Sequence, residues 1–329
     1  MNSPFPKSSS AAGEGKIVVK RLPNGLPGLE TITYQYPLKL ISPPRPYEHQ
    51  SILVFLLSYG GGLVGGDCVN LAIDVQEGSR LSIVTQGHTK IFKSVTPDIV
   101  TRQKLHVQIG NDAALCLLPD PVQPFEGSVY EQTQIFHLKA DASLCLLDWV
   151  TQGRTARGEN WSLVRWVGRN EVWASAKDLG AKERLLVRDA VILDGDQAHS
   201  HTKSLRETMH GHGIFGTLVL RGPLMKALGD FFLAEFAALP RIGARDFRTA
   251  EDRETEDQGK DDHEIWRSNR LKMEKTEKIL WSAANVRGCV VVKFGSATVE
   301  AGRLWIGSML SREGSIVKQF GDQALMCVR

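Results

Sequence analysis

Short alternations of apolar and polar residues dominate the first two thirds of the chain. Leu105, Val107 and Ile109, for example, alternate with polar neighbours, which is the period of two expected of a half-buried strand. Turn-forming residues separate such runs at intervals of about ten residues. We therefore predict strands in the following ranges: 16–22, 31–36, 52–57, 69–77, 80–86, 104–109, 114–118, 129–138, 143–150, 161–167, 171–176, 184–193 and 286–294.

A helical period appears only near the C-terminal end. Leu224, Leu228 and Phe231 are spaced three and four apart after Pro223, a residue suited to the first turn, and predict a helix over 223–239. A second helix is predicted near 298–310. The expected fold class is therefore mainly β, with short, largely antiparallel strands and a few C-terminal helices.

Two segments lack the apolar residues needed for a core. Residues 1–15 are rich in Ser, Pro, Gly and Ala and have no apolar run, which predicts a disordered leader rather than a signal peptide. Residues 247–264 are mostly acidic and polar, which predicts a mobile insertion. The rest, 16–329, is predicted to form one domain.

Charge and cysteine content narrow the function classes. The net charge is +3, with 40 basic residues spread among 37 acidic ones, so no basic stripe favours nucleic acid. No apolar run approaches the length of about 18 residues that a membrane span needs. The five cysteines are scattered and odd in number, which favours free thiols in a reducing, cytoplasmic setting.

The densest motif is a glycine cluster between two predicted strands. Residues 60–66 contain five glycines, and Gly60, Gly62 and Gly65 satisfy the letters of a dinucleotide fingerprint. That fingerprint requires a helix after the last glycine, whereas the residues from Val69 onwards alternate as a strand does. The cluster is therefore predicted to be a tight connection where backbones or a ligand come close. A dinucleotide-dependent enzyme remains the alternative.

Histidines and carboxylates offer candidate chemistry. The pairs His199/His201 and His210/His212 would each present two imidazoles on one face of a strand, a geometry suited to a metal, or they simply face water in a polar connection. A metal-dependent enzyme is a further alternative. Several Asp and Glu residues lie close to glycines in the sequence. They either pair with arginines or line a polar passage for a divalent cation, and both interpretations stay open.

Four blocks agree in order and spacing with one known family. They are Tyr59 to Asp67; Thr85-Gln86 with Thr89 to Lys93; Pro119 to Val122 with Pro124 to Gly127; and Asp148-Trp149 with Gly153-Arg154, Gly158-Glu159 and Trp161. Together they resemble the UreD (also called UreH) family of urease accessory proteins. The candidate tunnel or structural residues in these blocks are Gly60, Gly61, Gly62, Gly65, Gly66, Asp67, Thr85, Gln86, Thr89, Lys90, Glu126, Asp148, Arg154 and Glu159.

The resemblance implies a non-catalytic maturation factor on a β-helix-like stack of strands. Family members bind apo-urease and a UreF-type protein, engage a UreG-type GTPase through UreF, and are thought to conduct Ni²⁺ transiently through an internal tunnel. His88 departs from the family pattern, and the stretch 247–264 resembles an insertion of longer eukaryotic, fungal-type members. The histidine pairs have no place in that pattern, so a nickel role for them is a separate hypothesis.

Overall fold

The computed structural model describes residues 11–44, 51–175, 182–195, 204–239 and 261–329. Its strands are β1 (Glu14–Arg21), β2 (Pro27–Tyr34), β3 (Leu38–Ile41), β4 (Ile52–Ser58), β5 (Cys68–Val75), β6 (Arg80–Val84), β7 (Thr89–Ile91), β8 (Thr101–Ile109), β9 (Ala114–Leu117), β10 (Val122–Pro124), β11 (Val129–Leu138), β12 (Ser143–Thr151), β13 (Arg165–Ala174), β14 (Arg184–Asp194), β15 (Ile214–Arg221), β16 (Leu280–Val286) and β17 (Cys289–Ser296). The α-helices are α1 (Leu205–Thr208), α2 (Lys226–Ala237), α3 (Asp262–Thr276), α4 (Val299–Glu313) and α5 (Ser315–Phe320).

The strands form two sheets between which the chain alternates. The seven-stranded sheet has the order β14-β13-β11-β8-β5-β1-β2, and the ten-stranded sheet has the order β16-β17-β15-β12-β9-β6-β4-β3, with β7 and β10 attached beside β12. From β4 to β13, each strand of one sheet is followed by a strand of the other, apart from the short β7 and β10.

The mainly β class with C-terminal helices is confirmed, but the predicted antiparallel pairing is wrong. Neighbours such as β5 and β8, or β6 and β9, run parallel, because the chain passes through the opposite sheet before it returns in the same direction. Antiparallel pairs lie towards the ends of the sheets, as between β1 and β2. Both sheets are therefore mixed.

The packing has three layers, and β12 shows why. All nine of its residues are buried, since alternate side chains enter different cores. Leu144 and Leu146 join the core between the two sheets, whereas Cys145 and Leu147 pack in the core beneath the helices. Such strands are apolar throughout, as expected when both faces of a sheet are covered.

The predicted C-terminal helices are confirmed, with shifted ends. A 3₁₀ turn at Pro223–Met225 leads into α2, and Thr298 caps α4 by accepting a hydrogen bond from the Ala301 amide at 3.1 Å. The predicted strand 286–294 corresponds to β17, which begins three residues later, and its hairpin partner β16 was not predicted. Predicted strands 161–167 and 171–176 form the single strand β13.

The two segments predicted to lack structure overlap with regular elements. Residues 1–10 and 247–260 lie outside the described residues, but residues 14 and 15 already belong to β1. Asp261 caps α3 by accepting hydrogen bonds from the amides of His263 and Glu264, both at 2.8 Å. The predicted insertion therefore ends too late, because acids that cap a helix resemble a solvated charge run in the sequence. No helix in the described part combines the length and apolar character that crossing a membrane requires.

A buried ion cluster joins α2 to α3. Glu235 is 1% exposed and accepts hydrogen bonds from Arg267 Nε at 3.0 Å and Arg270 Nη2 at 2.9 Å. Burial by itself would raise the pKa of Glu235, but the hydrogen bonds and charges of the two arginines outweigh it and hold the pKa below its ordinary value. The ionised carboxylate therefore stabilises the helical layer.

We predict that Glu235→Gln lowers the free energy of unfolding by about 3 kcal/mol at neutral pH, because it leaves the buried Arg270 and the partly buried Arg267 without a full counter-charge. The pKa of Glu235 is lower in the folded state than in the unfolded state. Its stabilisation is thus present above the ordinary glutamate pKa and is lost as pH falls through the folded-state value. The gap between wild type and variant in urea unfolding should close accordingly on acidification.

Asp230→Asn is the matched control on the same helix. Its partner Lys226 lies 2.5 Å away, but the side chains are 76% and 60% exposed, so the loss should stay below about 0.5 kcal/mol. Equal losses for the two variants would contradict the role assigned to the buried cluster.

Candidate functional site

Two loops meet over a pocket of about 280 Å³ at one end of the sheets, called here the outer pocket. One is the glycine loop, residues 59–67, which joins β4 to β5. The other is the connection between β6 and β7. Because a strand follows the glycines, as predicted, no helix N-terminus is available there to bind a pyrophosphate. The pocket is lined by Leu38, Lys39, Leu56, Leu57, Ser58, Tyr59, Gly60, Gly61, Leu63, Val69, Thr85, Gln86, Gly87, His88, Thr89 and Gln103.

The glycine loop lies directly against β7. The Leu63 amide donates to the Lys90 carbonyl at 2.8 Å, and the Phe92 amide donates to the Leu63 carbonyl at 2.9 Å. A Cβ on Gly62 would lie 2.5 Å from Phe92 Cε2 and 2.8 Å from the Lys90 carbonyl oxygen. The glycine at this position is therefore required by the close approach of another backbone.

The end of the loop is held by its own aspartate. The Asp67 carboxylate accepts a hydrogen bond from the Val64 amide at 2.8 Å, and the Asp67 amide donates to the Val64 carbonyl at 3.0 Å. Gly65 is also tightly placed, since its Cβ would lie 3.2 Å from Ser94 Cα, and Gly66 has a φ of 90°. Asp67 thus closes the turn and does not line the outer pocket.

Thr85 and Asp120 fix the second loop. The Thr85 hydroxyl donates to Asp120 Oδ2 at 3.0 Å, and the Asp120 amide donates to Thr85 Oγ1 at 2.7 Å. The Gly87 amide also donates to Oδ2, at 2.9 Å, and Arg303 Nη2 donates to Oδ1 at 2.7 Å. Asp120 therefore ties the loop to α4 through one carboxylate.

A second surface pocket, of about 810 Å³, lies on the other side of this loop. Burial lowers the pKa of His88 at the rim of this pocket and is the main cause of the shift. The negative charge of Asp120 opposes it. Burial also raises the pKa of the Cys327 thiol to about 11, and Asp120 adds to that shift. The thiol is therefore protonated at neutral pH and donates to the Thr85 carbonyl at 3.4 Å.

A small inner cavity of about 30 Å³ lies behind the outer pocket, between the two sheets. Thr85, Thr89, Gln103 and Leu56 line both spaces. A cavity of this size has room for about two water molecules, and its polar walls provide partners for them. The inner cavity also reaches Gln132, Gln134 and Asp148.

Asp148 lies at the inner end of this polar region. It occupies an inward-facing position of β12, and its two oxygens accept hydrogen bonds from Gln132 Nε2 at 2.9 Å and Asn170 Nδ2 at 2.7 Å. Gln134 Nε2 donates in turn to Asn170 Oδ1 at 3.0 Å. Burial raises the pKa of Asp148, although these two amide donors oppose the shift.

The remaining predicted residues support the site from outside. Glu159 accepts hydrogen bonds from the Arg154 amide at 2.7 Å and from Arg154 Nε at 2.8 Å, and the guanidinium stacks 3.9 Å from the Phe125 ring. Burial alone would raise the pKa of Glu159, but Arg154 outweighs it and holds the pKa below its ordinary value. Glu126 and Lys90 are exposed. None of Glu126, Arg154 and Glu159 lines the outer pocket or the inner cavity.

Only the second of the two histidine pairs lies among the described residues, and it is not on a strand. His199 and His201 lie outside the described residues, and His210 and His212 lie in the turn between α1 and β15, where His210 has a φ of 47°. His212 Nδ1 lies 3.0 Å from the Met209 carbonyl oxygen. Among described residues, no group of three or more His, Cys, Asp or Glu side chains is placed to hold a metal ion.

Sequence reasoning missed most of the polar residues around Asp148. Gln132 and Gln134 are each 4% exposed and Asn170 is 2% exposed. Their position in the alternating pattern of β11 could have revealed them. Gln132 and Gln134 share the buried face of this strand with Phe136 and Leu138. A polar residue in the apolar phase of a strand indicates a buried polar contact.

We predict that Gly62→Ala lowers the free energy of unfolding by about 1–3 kcal/mol, because its methyl group forces β7 away from the glycine loop. Thermal or urea unfolding measures the loss. Gly60→Asn is the control, since nothing lies within 4 Å of its Cβ and Asn tolerates its φ of 69°. A larger loss of stability for Gly60→Asn than for Gly62→Ala would mean that the glycines are needed for backbone conformation rather than for the close approach of another strand.

Comparison with known proteins gives a consistent match. The model of the UreD urease accessory protein family matches residues 11–325. An uncharacterized ureD-like urease accessory protein of Schizosaccharomyces pombe is 34% identical over 284 residues, which cover 86% of this chain and 88% of the relative.

Other relatives span fungi and plants. Urease accessory protein 4 of Cryptococcus neoformans is 33% identical, with 67% of this chain and 73% of the relative covered. Urease accessory protein D of Oryza sativa subsp. indica is 30% identical over 68% of this chain and 69% of its own length. The chain therefore belongs to the UreD family of urease accessory proteins.

Proposed function

We propose that this protein serves urease maturation as a non-catalytic factor that passes Ni²⁺ towards apo-urease. In this proposal it binds apo-urease and a UreF-type protein in the cytoplasm, and it engages a UreG-type GTPase through UreF. Nickel is cargo that passes transiently through the protein. Membership of the urease accessory family supports the role in maturation.

The polar route from the surface to Asp148 supports the nickel part of the proposal. The outer pocket and the inner cavity share Thr85, Thr89 and Gln103, and the cavity then reaches Asp148 and its buried amide partners between the two sheets. Borderline divalent cations accept oxygen ligands, and a carboxylate gives the strongest charge interaction. The observation that carries the proposal is that a surface pocket and a polar cavity ending at a buried carboxylate share these wall residues.

The chemistry along this route suits passage better than retention. The polar side chains shared by the two spaces are neutral hydroxyl and amide groups, which hold a cation weakly. Asp148 already has both oxygens engaged by amides. A site that must release its cargo benefits from such incomplete coordination, whereas a resident metal requires a fuller ligand set.

We predict that Asp148→Asn decreases the nickel bound per urease several-fold after co-expression, because it removes the buried carboxylate at nearly constant volume. Nickel analysis of purified urease, together with urea hydrolysis, measures the effect. Glu131→Gln is the matched control, because Glu131 pairs with Arg102 at the exposed surface of the seven-stranded sheet. If both variants load urease equally well, the route through Asp148 is wrong.

A second prediction tests the role of the whole protein. Urease produced with the UreF-type and UreG-type partners but without this chain should contain little nickel and have little activity. The GTPase rate of the isolated UreG-type partner should be the same with or without this chain alone, since hydrolysis belongs to the partner. Full nickel loading in the absence of this chain would rule out the proposed function.

A further inference from the structure

Strand β16 forms an unprotected end of the ten-stranded sheet. Among the described residues it pairs with β17 on one side, and no strand pairs with the other. The seven residues of β16 include no charged side chain. By contrast, the other strands that end the two sheet orders carry charges, for example Asp189 in β14, Glu30 in β2 and Lys39 in β3. Charges are a common means of preventing edge-to-edge pairing.

The turn after β16 defines which backbone groups face outward. Arg287 and Gly288 have φ values of 51° and 78°, as in a two-residue type I′ hairpin, which makes Val286 and Cys289 a hydrogen-bonded pair. Alternate residues back along β16 then bond to β17. The backbone N–H and C=O groups of Trp281, Ala283 and Asn285 therefore point away from the sheet, to the side where a further strand could pair.

Apolar side chains accompany these free groups. Leu280 is 66% exposed and Val286 is 40% exposed, and they lie at opposite ends of β16 on the same face. Leu280 also borders an apolar groove of about 680 Å³ that continues over Phe215 and Met209. Such a surface gains stability when a strand with apolar ends covers it.

We propose that β16 pairs antiparallel with β16 of a second copy of this chain, about a two-fold axis through Ala283. Ala283 then faces the partner's Ala283, and Trp281 faces the partner's Asn285, so the outward backbone groups bond one another. Leu280 faces the partner's Val286, and the symmetry repeats this contact. The two large exposed apolar residues of the strand thus cover each other twice.

Charge and register both favour this alignment. Arg287 faces the partner's Ile279, so no like charges lie opposite each other. A shift by two residues, the smallest that keeps the outward groups paired, would place Val286 opposite the partner's Lys278 or the partner's Ser282. The strand is therefore most self-complementary when centred on Ala283. The contact is small, so we expect dissociation on the order of 10 µM.

Sedimentation velocity of the full chain over a range of concentrations tests the dimer. Leu280→Lys should weaken it at least about tenfold, which corresponds to 1.4 kcal/mol, because a charge then faces an apolar residue twice. Adding Val286→Glu to the same chain should restore it, since each lysine then faces a glutamate of the partner. These positions are roughly 20 Å apart within one strand, so the rescue occurs only between chains.

Leu304→Lys is the control, since Leu304 is 59% exposed but lies on α4. It should leave dimerisation unchanged. A wild-type chain that stays monomeric at every concentration, or a double variant that dimerises no more tightly than Leu280→Lys alone, would overturn the proposal.

Hydrogen exchange provides a second test. The backbone amides of Trp281, Ala283 and Asn285 should exchange more slowly as the protein concentration rises. Slowing only when apo-urease is added would assign this edge to urease and overturn the homodimer. These measurements on the chain alone are independent of nickel delivery.

Discussion

A carboxylate enclosed between two sheets is stable only when its oxygens accept hydrogen bonds, and Asp148 meets this requirement by reaching across the core. Its partners Gln132 and Asn170 come from two strands of the opposite sheet. The arrangement fixes the spacing and register of the sheets at one end, because an unsatisfied carboxylate there would cost several kcal/mol. The inner cavity and the approach from the outer pocket depend on that spacing.

Much of the local structure follows from sequence pattern. The period of two identified most strands, and the residues after Gly66 distinguished a strand from a nucleotide-binding helix. The close approach at Gly62 was also expected from the glycine density alone. In each case the information lies within a few neighbouring residues, where steric and hydrophobic rules act directly.

Sheet membership and the site itself could not be obtained in this way. Whether two strands pair parallel or antiparallel depends on the path between them, and alternation between sheets leaves no periodic mark in either strand. The contact of Asp120 with Arg303 joins residues 183 positions apart. Helix α3 was missed for a related reason, because its stability comes from Glu235 and tertiary packing rather than from an apolar stripe.

The link between Thr85 and Cys327 has a consequence for the order of events during synthesis. The thiol donates to a carbonyl 242 positions earlier, beside the aspartate that also binds Arg303. The loop between β6 and β7 therefore leaves the ribosome long before the groups that brace it. Until the last helices emerge, the apolar back of the ten-stranded sheet also stays uncovered, which exposes it to aggregation. A nascent chain of this protein is therefore most prone to aggregation just before its last helices pack.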